Sequence, residues 1–192
     1  MSKKVLSIGL DLDGVILYNP LRVARPLIAS FKNIVAYKRR MKFYYPKTFW
    51  EKQIWKLIHY LSSLFVADGF RDIIKLTRNK KIRSYVVSAR YSMLGVDFRR
   101  WIKKIKADSS LSGCYYNAGD KQPHLFKQKM IEKLNLDIYV EDNYDIVRYL
   151  SQSAKLKKVK IVWIYNILDR HIDYPYKFPT LKAAVEFIET TL

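Results

Sequence analysis

The composition excludes several features that would cross-link the chain or attach it to a membrane. Cys114 is the only cysteine among the 192 residues, so no internal disulfide and no cysteine-based zinc site can form. No apolar run approaches the roughly 20 residues of a membrane-spanning helix. The first residues, Met1 to Lys4, lead directly into an apolar segment of strand length and not into a signal peptide with a cleavage site. We therefore expect a cytoplasmic protein without a transmembrane segment.

Motifs that would assign a reaction by themselves are also missing. No glycine-rich loop is followed by a lysine and a serine or threonine, which argues against a P-loop nucleotide site. No nucleophile-elbow glycines surround a serine, so nothing supports a serine hydrolase of that type. His59, His124 and His171 are scattered along the chain and do not have the spacing of zinc ligands.

Acidic residues are scarce, and the chain is therefore strongly basic. It has 17 Asp and Glu against 36 Lys and Arg, which gives a formal net charge of +19. The excess indicates either a generally basic surface or an anionic partner, such as a phosphate ester, a nucleic acid or an anionic membrane. Charge alone does not choose among these partners.

The pattern of apolar residues predicts strands alternating with helices. The hydrophobic share of 49% is enough for a sizeable core. Apolar residues three or four apart, beginning near Phe70, Phe98, Phe126 and Leu181, predict helices between and after the later strands. Such alternation is typical of an α/β fold, a three-layer Rossmann-like parallel sheet with helices on both faces. The predicted strands are Val5–Leu10, Ser84–Val87, Gly113–Tyr116, Ile138–Val140 and Lys160–Tyr165.

Residues 19–65 interrupt this alternation and predict a small helical cap inserted after the first strand. Thr48 followed by Glu51 matches a capping box, and apolar residues from Ile54 to Leu64 repeat at helical spacing. The stretch holds ten Lys or Arg, ten aromatic residues and a single acid. We divide the chain into a core, residues 1–18 and 66–192, and a cap, residues 19–65. The cap is interpreted as a lid packed by aromatic rings, as a lid that binds a leaving group, or as a docking face for nucleic acid or an anionic membrane.

Two acids one residue apart follow the first predicted strand. Asp11 and Asp13 come after Val5–Leu10 and are followed by Gly14 and Val15. Because side chains at i and i+2 of a strand point the same way, the two carboxylates are expected to lie close together. Two neighbouring anions repel unless a positive group lies between them or one carries a proton. The pair therefore indicates a divalent cation, or an attacking carboxylate beside a proton carrier.

Polar residues also follow two later strands, and parallel strands bring their carboxyl ends to one edge of a sheet. Ser88, Ala89 and Arg90 follow the second predicted strand, and Lys127 lies on a helix that precedes the fourth. The fourth strand ends in Glu141, Asp142 and Asn143. Each of these is common by itself, whereas their joint order on an alternating pattern favours a shared site.

These motifs, in this order, resemble those of the haloacid dehalogenase superfamily of phosphohydrolases. The similarity covers most of the chain outside residues 19–65. The stretch Lys127–Leu134 and the last strand with Asn166 are similar to small members related to nucleotidases. The matching motifs are D-x-D-G-V at Asp11–Val15, the serine at Ser88, the lysine at Lys127 and the acidic pair at Glu141 and Asp142.

The resemblance implies a role for each matched residue and Mg²⁺ as cofactor. Asp11 would be the nucleophile and a metal ligand, and Asp13 the general acid and base, with its backbone carbonyl on the metal. Asp142 would be the third protein ligand of the metal. Ser88 would hydrogen-bond a phosphate oxygen, and Lys127 would stabilise Asp11 and the phosphate.

The roles of the residues around these motifs stay open. Ala89 and Arg90 belong to the predicted substrate-binding set, although Arg90 could equally pair with a carboxylate at a helix start. Lys121 and Lys129 are the alternatives to Lys127 for the motif lysine. Further candidates for contacts with the metal or its water are Glu141, Asn143 and Asp145.

The motifs favour a Mg²⁺-dependent phosphatase that hydrolyses a small phosphate monoester, a nucleotide or a related metabolite, through an aspartyl-phosphate. Transfer of the phosphoryl group to an acceptor other than water would use the same intermediate. The alternative is a basic binding module on the same fold that docks on nucleic acid or an anionic membrane, with or without phosphatase activity.

Overall fold

The computed structural model describes residues 5–18 and 41–192 of the chain. Within these residues, some of the longer elements are joined by short 3₁₀ turns, which are Ser92–Leu94, Ala154–Leu156 and Ile167–Asp169. The strands are β1 (Leu6–Leu10), β2 (Ile82–Tyr91), β3 (Gly113–Asn117), β4 (Ile138–Glu141), β5 (Lys160–Ile164) and β6 (Lys177–Phe178). The helices are α1 (Phe49–Ser62), α2 (Phe70–Arg78), α3 (Gly95–Lys104), α4 (Ala107–Ser110), α5 (Pro123–Lys133), α6 (Tyr144–Ser151) and α7 (Leu181–Thr190).

The strands form one six-stranded sheet in the order β3-β2-β1-β4-β5-β6, and every pair is parallel. The first strand therefore lies in the middle, where Ile8 pairs with Ser84 of β2 and with Ile138 of β4. Crossover helices cover the sheet, as parallel connections require. The predicted α/β fold with a parallel sheet is confirmed.

Two apolar cores lie on opposite faces of the sheet because side chains alternate along each strand. Ile8, Val140 and Val162 point to the face covered by α2, α3 and α7. Tyr139, one residue before Val140, and Trp163, one residue after Val162, point to the face covered by α5 and α6. The sheet is thus buried on both faces, as expected of an all-parallel sheet.

The sheet differs from the predicted strands at two places. The prediction ended the second strand at Val87, whereas β2 continues to Tyr91, and its register against β3 shifts between Ser88 and Tyr91. A polar run at a strand end is typical of a turn, and the partner strand that extends β2 is distant in sequence. The sixth strand, Lys177–Phe178, was not predicted because two residues carry no periodic signal.

The inserted region leaves and re-enters the core through a short antiparallel pairing. Tyr18 N donates to Phe65 O at 2.8 Å, and Ala67 N donates to Ile16 O at 2.8 Å. The predicted capping box is present at the start of α1, since Thr48 Oγ1 accepts from Glu51 N at 3.2 Å and Glu51 Oε2 accepts from Thr48 N at 3.0 Å. Residues 19–40 of the predicted cap lie outside the described residues.

A segment of the cap is bonded to the loop between β3 and α5. Gln122 accepts from Phe43 N at 2.7 Å and donates to Phe43 O at 3.3 Å. The Tyr45 hydroxyl donates to Asp120 Oδ2 at 3.0 Å. These bonds hold residues 43–45 beside the carboxyl end of β3.

Within residues 5–18 and 41–192, none of the helices has both the length and the apolar character needed to cross a membrane.

Replacing Ile8 with alanine should lower the free energy of unfolding by about 2–5 kcal/mol, because it opens a cavity at the centre of the sheet. The matched control is Ile54→Ala on α1, where the side chain is 57% exposed and the change should stay within about 0.5 kcal/mol. Urea unfolding of both variants measures the difference. Equal losses would contradict the placement of β1 in the core.

Candidate active site

The predicted site residues meet at the carboxyl edge of the sheet, around the end of β1. Because β2 and β4 flank β1, Ser88 of β2 and Glu141 at the end of β4 lie on either side of the residues that follow β1. Asp11 N donates to Val140 O at 3.0 Å, so the bonding between β1 and β4 continues to the first acid of the motif. Topology alone thus brings together residues that are up to 130 positions apart in the chain.

Lys127 is the charged centre of this edge. It lies on α5 with only 1% of its surface exposed, and its ammonium is 2.7 Å from Asp11 Oδ2 and 2.5 Å from Glu141 Oε2. Burial alone would lower the pKa of Lys127, but the carboxylates of Asp11 and Glu141 raise it above its ordinary value. Lys127 is therefore a fixed cation, whereas Lys121 and Lys129, the alternatives for its role, are exposed.

Carboxylates outnumber the cations around Asp11. Burial raises the pKa of Asp11 well above its ordinary value, Lys127 lowers it, and Glu141, Asp142 and Asp13 raise it again. The ionised form of Asp11 is thus disfavoured by its surroundings unless further positive charge is present. A cation beside Asp11 and Asp142 would supply that charge.

The donor set fits a hard divalent cation. Asp11, Glu141 and Asp142 are all buried, and each offers a carboxylate oxygen within 4.8 Å of those of the other two. Glu141 is already engaged, because Oε2 accepts from Lys127 and Oε1 accepts from the backbone N–H groups of Asp142 and Asn143 at 3.1 and 3.0 Å. Asp11 and Asp142 are therefore the residues that would hold Mg²⁺, and Glu141 orients the loop that carries Asp142.

Gly14 makes room for the Asp142 carboxylate. Its φ of +83° lies in the left-handed region, and a Cβ built there would be 2.1 Å from Asp142 Oδ2. Gly14 N also donates to Leu17 O at 2.8 Å, which closes the turn after the two acids. The glycine of the D-x-D-G-V motif is thus required both by the backbone and by the neighbouring ligand.

Asp13 is paired with Arg90, whereas Asp11 is paired with Lys127. Arg90 Nε donates to Asp13 Oδ2 at 2.8 Å, and Arg90 Nη2 donates to Asp13 Oδ1 at 2.7 Å. The third nitrogen, Nη1, donates to Asp97 Oδ2 at 2.7 Å. Of the two interpretations of Arg90, pairing with a carboxylate is the one that this geometry shows.

The other predicted residues lie at different depths. Ser88 is fully buried, and its Oγ accepts from Arg90 N at 3.2 Å, while Ala89 is half-buried. Asn143 caps α6 by accepting from Asp145 N at 3.0 Å. Asp145 is exposed and lies 3.6 Å from Arg148, so the structure directs these two toward the helix start and not toward Asp11.

Sequence reasoning missed three residues that support the site. Trp163 of β5 donates from Nε1 to Asp142 O at 3.2 Å, Asp97 of α3 holds Arg90, and Ser63, the residue after α1, contacts Arg90 and Asp13. A tryptophan inside a strand is read as core, and a serine after a helix is read as part of a turn. For Ser63 and Asp97, no local pattern gave a signal.

Comparison with known proteins identifies the fold. No family model matches the sequence, and no curated protein matches it. The crystal structure of CbbY from Rhodobacter sphaeroides in complex with phosphate is similar, with a TM-score of 0.58, 12% identity and coverage of 95% of this chain and 100% of that chain. A HAD-superfamily hydrolase from Ehrlichia chaffeensis has a TM-score of 0.51 and 12% identity, and the match covers 99% of this chain and 98% of that chain. The chain has the haloacid dehalogenase-like fold.

The haloacid dehalogenase-like fold is the one that the sequence motifs implied. Its sheet order places the ends of β1, β2 and β4 side by side, and the four motifs lie on or beside those ends. The fold explains how the residues meet, while their chemical roles rest on the contacts described above.

Gly14→Ala should abolish stabilisation by Mg²⁺, because the new Cβ would collide with Asp142 Oδ2. In the unaltered protein, Mg²⁺ at 100 times its dissociation constant should add about 2.7 kcal/mol to the free energy of unfolding. Gly119→Ala is the matched control, since a Cβ there meets nothing within 4 Å. Thermal unfolding is compared with MgCl₂ and with NaCl at equal ionic strength. A Mg²⁺ response that survives in Gly14→Ala would argue against this cation site.

Proposed function

We propose that the protein is a Mg²⁺-dependent phosphatase that hydrolyses a small phosphate monoester through an aspartyl-phosphate on Asp11. The observation that carries the proposal is the buried group formed by Asp11, Lys127, Glu141 and Asp142 at the carboxyl edge of the sheet. In a buried group with more carboxylates than cations, the ionised carboxylates repel one another unless further positive charge is present. A site that receives a metal and a phosphate accounts for this composition.

We assign the role of nucleophile to Asp11. Its Oδ2 accepts from Lys127 and its Oδ1 accepts from Leu12 N at 2.8 Å, so the carboxylate is held at the strand end in one orientation. In the proposed reaction, a carboxylate oxygen of Asp11 forms a bond to phosphorus as the bond to the leaving oxygen breaks. Mg²⁺ held by Asp11 and Asp142 would neutralise charge on the phosphate.

Asp13 would move the protons in both halves of the reaction. The first step starts from the protonated form of Asp13, which gives its proton to the leaving oxygen and becomes a carboxylate. In the second step it takes a proton from the water that attacks phosphorus, which releases phosphate and restores Asp11. Lys127 would stabilise the charge that spreads over the phosphoryl oxygens, and the Ser88 hydroxyl would hydrogen-bond one of them.

A small phosphorylated metabolite is the substrate class we propose. The cap segment at residues 43–45 is hydrogen-bonded to the loop after β3, beside the carboxyl edge of the sheet. CbbY, which shares the fold, was solved with phosphate and, as a mutant, with xylulose-(1,5)bisphosphate. A nucleotide is the alternative that the sequence resemblance suggests.

Asp11→Asn should reduce the hydrolysis of p-nitrophenyl phosphate with Mg²⁺ by more than about 10³-fold, since removing a covalent nucleophile removes the main pathway. Asp145→Asn makes the same chemical change on the exposed start of α6 and should leave the rate nearly unaltered. Acid quenching and mass spectrometry should find phosphate on the Asp11 peptide of the unaltered protein. Equal rates for the two variants would refute Asp11 as the nucleophile.

The exposed face of α1 favours a second candidate function, binding of single-stranded nucleic acid. Trp50 is 74% exposed, Phe49 and Tyr60 are also exposed, and Arg100 lies over the Tyr60 ring at 4.8 Å. Bases stack on such rings, and the net charge of +19 would attract the phosphates. We propose that this face binds a polynucleotide.

Lys56→Ala should weaken binding of a fluorescent oligothymidylate, because it removes a cation among the exposed rings of α1. Lys155→Ala removes the same charge from an exposed position outside the cap and should have a smaller effect. Anisotropy titrations at several salt concentrations should show affinity falling steeply as salt rises. Salt-independent binding, equal losses in the two variants, or binding only to anionic vesicles would exclude this candidate.

A further inference from the structure

The carboxylate of Asp13 is fixed by two parallel bonds from one guanidinium. Arg90 reaches Oδ2 with Nε at 2.8 Å and Oδ1 with Nη2 at 2.7 Å, and Arg90 is 3% exposed. A two-point contact sets the plane of a carboxylate as well as its distance, which a lysine cannot do. Arg90 therefore determines where Asp13 points.

Arg90 is itself held by neighbours that do not belong to the predicted site. Asp97 Oδ2 accepts from Arg90 Nη1 at 2.7 Å, and Asp97 Oδ1 accepts from Arg100 Nη2 at 3.0 Å. Charges of alternating sign thus run from the surface of α3 to Asp13. These contacts link the exposed Arg100 to the buried Asp13.

The cap contacts this chain of charges at both of its ends. At the surface, the Tyr60 ring of α1 lies under the Arg100 guanidinium at 4.8 Å. In the interior, the buried Ser63 Oγ accepts a hydrogen bond from Arg90 Nη2 at 3.0 Å and donates one to Asp13 Oδ1 at 3.4 Å. Ser63 directly follows α1, so the position of that helix decides whether these contacts form.

We propose that Arg90 is a positioning residue that aims Asp13 for proton transfer, and that Ser63 makes this orientation depend on the seating of the cap. The inference rests on the proposed phosphatase function. Arg90 is then not a substrate-binding residue, because its guanidinium is directed to Asp13, Asp97 and Ser63.

Substrates with different leaving groups distinguish a role of Arg90 in positioning Asp13 from a purely structural role. p-Nitrophenolate leaves phosphorus without a proton, whereas the alkoxide of β-glycerophosphate needs one from Asp13. The value of kcat/KM depends only on the steps up to phosphorylation of Asp11. Dividing kcat/KM for β-glycerophosphate by kcat/KM for p-nitrophenyl phosphate therefore isolates the first proton transfer. A misdirected Asp13 should harm the alkyl substrate far more than the aryl one, while a merely structural defect should harm both equally.

Arg90→Lys should lower kcat/KM for β-glycerophosphate by about 10²-fold more than for p-nitrophenyl phosphate, which is within the usual contribution of a general acid. Asp97→Asn keeps an acceptor near Arg90 but removes its charge, and should shift the ratio in the same direction by less. It also serves if Arg90→Lys fails to fold, which thermal unfolding reveals. An unchanged ratio in a folded variant would overturn the proposal.

Ser63→Ala tests the link to the cap. It should shift the same ratio toward the aryl substrate, whereas Ser109→Ala, an equal change at an exposed position on α4, should not. No shift in Ser63→Ala would overturn the dependence on the cap. If the unaltered protein hydrolyses neither substrate, the proposed function fails and the inference fails with it, and this outcome is visible before any variant is made.

Discussion

The buried ammonium of Lys127 is the interaction on which the site depends. Its contacts with Asp11 and Glu141 tie α5 to the ends of the two central strands, β1 and β4. Removing one partner from a buried ion pair typically costs 3–5 kcal/mol, because a charge is left without compensation. The same contacts hold the nucleophile candidate in place before any substrate arrives, so stability and preorganisation have one source.

The two acids of the D-x-D motif differ in the cation that each one contacts. Asp11 is paired with Lys127 of α5, and Asp13 is paired with Arg90 of β2. Two carboxylates that differ by two positions in the chain thereby have different surroundings, and different surroundings allow different roles. The glycine of the motif is also required, since only a residue without a Cβ at position 14 leaves space for the Asp142 carboxylate.

Sequence reasoning predicted the parallel sheet and the residues that lie at its carboxyl edge. It succeeded because strand periodicity and acids after strands are local patterns, and because the rule for parallel strands converts them into proximity. It did not predict the full length of β2 or the contacts of Ser63 and Asp97. These depend on which segments pack together, and no pattern within a few residues records that.

A single crystallographic measurement tests the central claim, that Lys127 and a divalent cation share the carboxylates at the end of β1. Crystals soaked in Mn²⁺ give an anomalous difference map that locates the ion directly. We expect one strong peak at about 2.1 Å from oxygens of both Asp11 and Asp142, with Lys127 still bonded to Asp11 and Glu141. A peak elsewhere, or an ion bound only after Lys127 leaves Asp11, would contradict it.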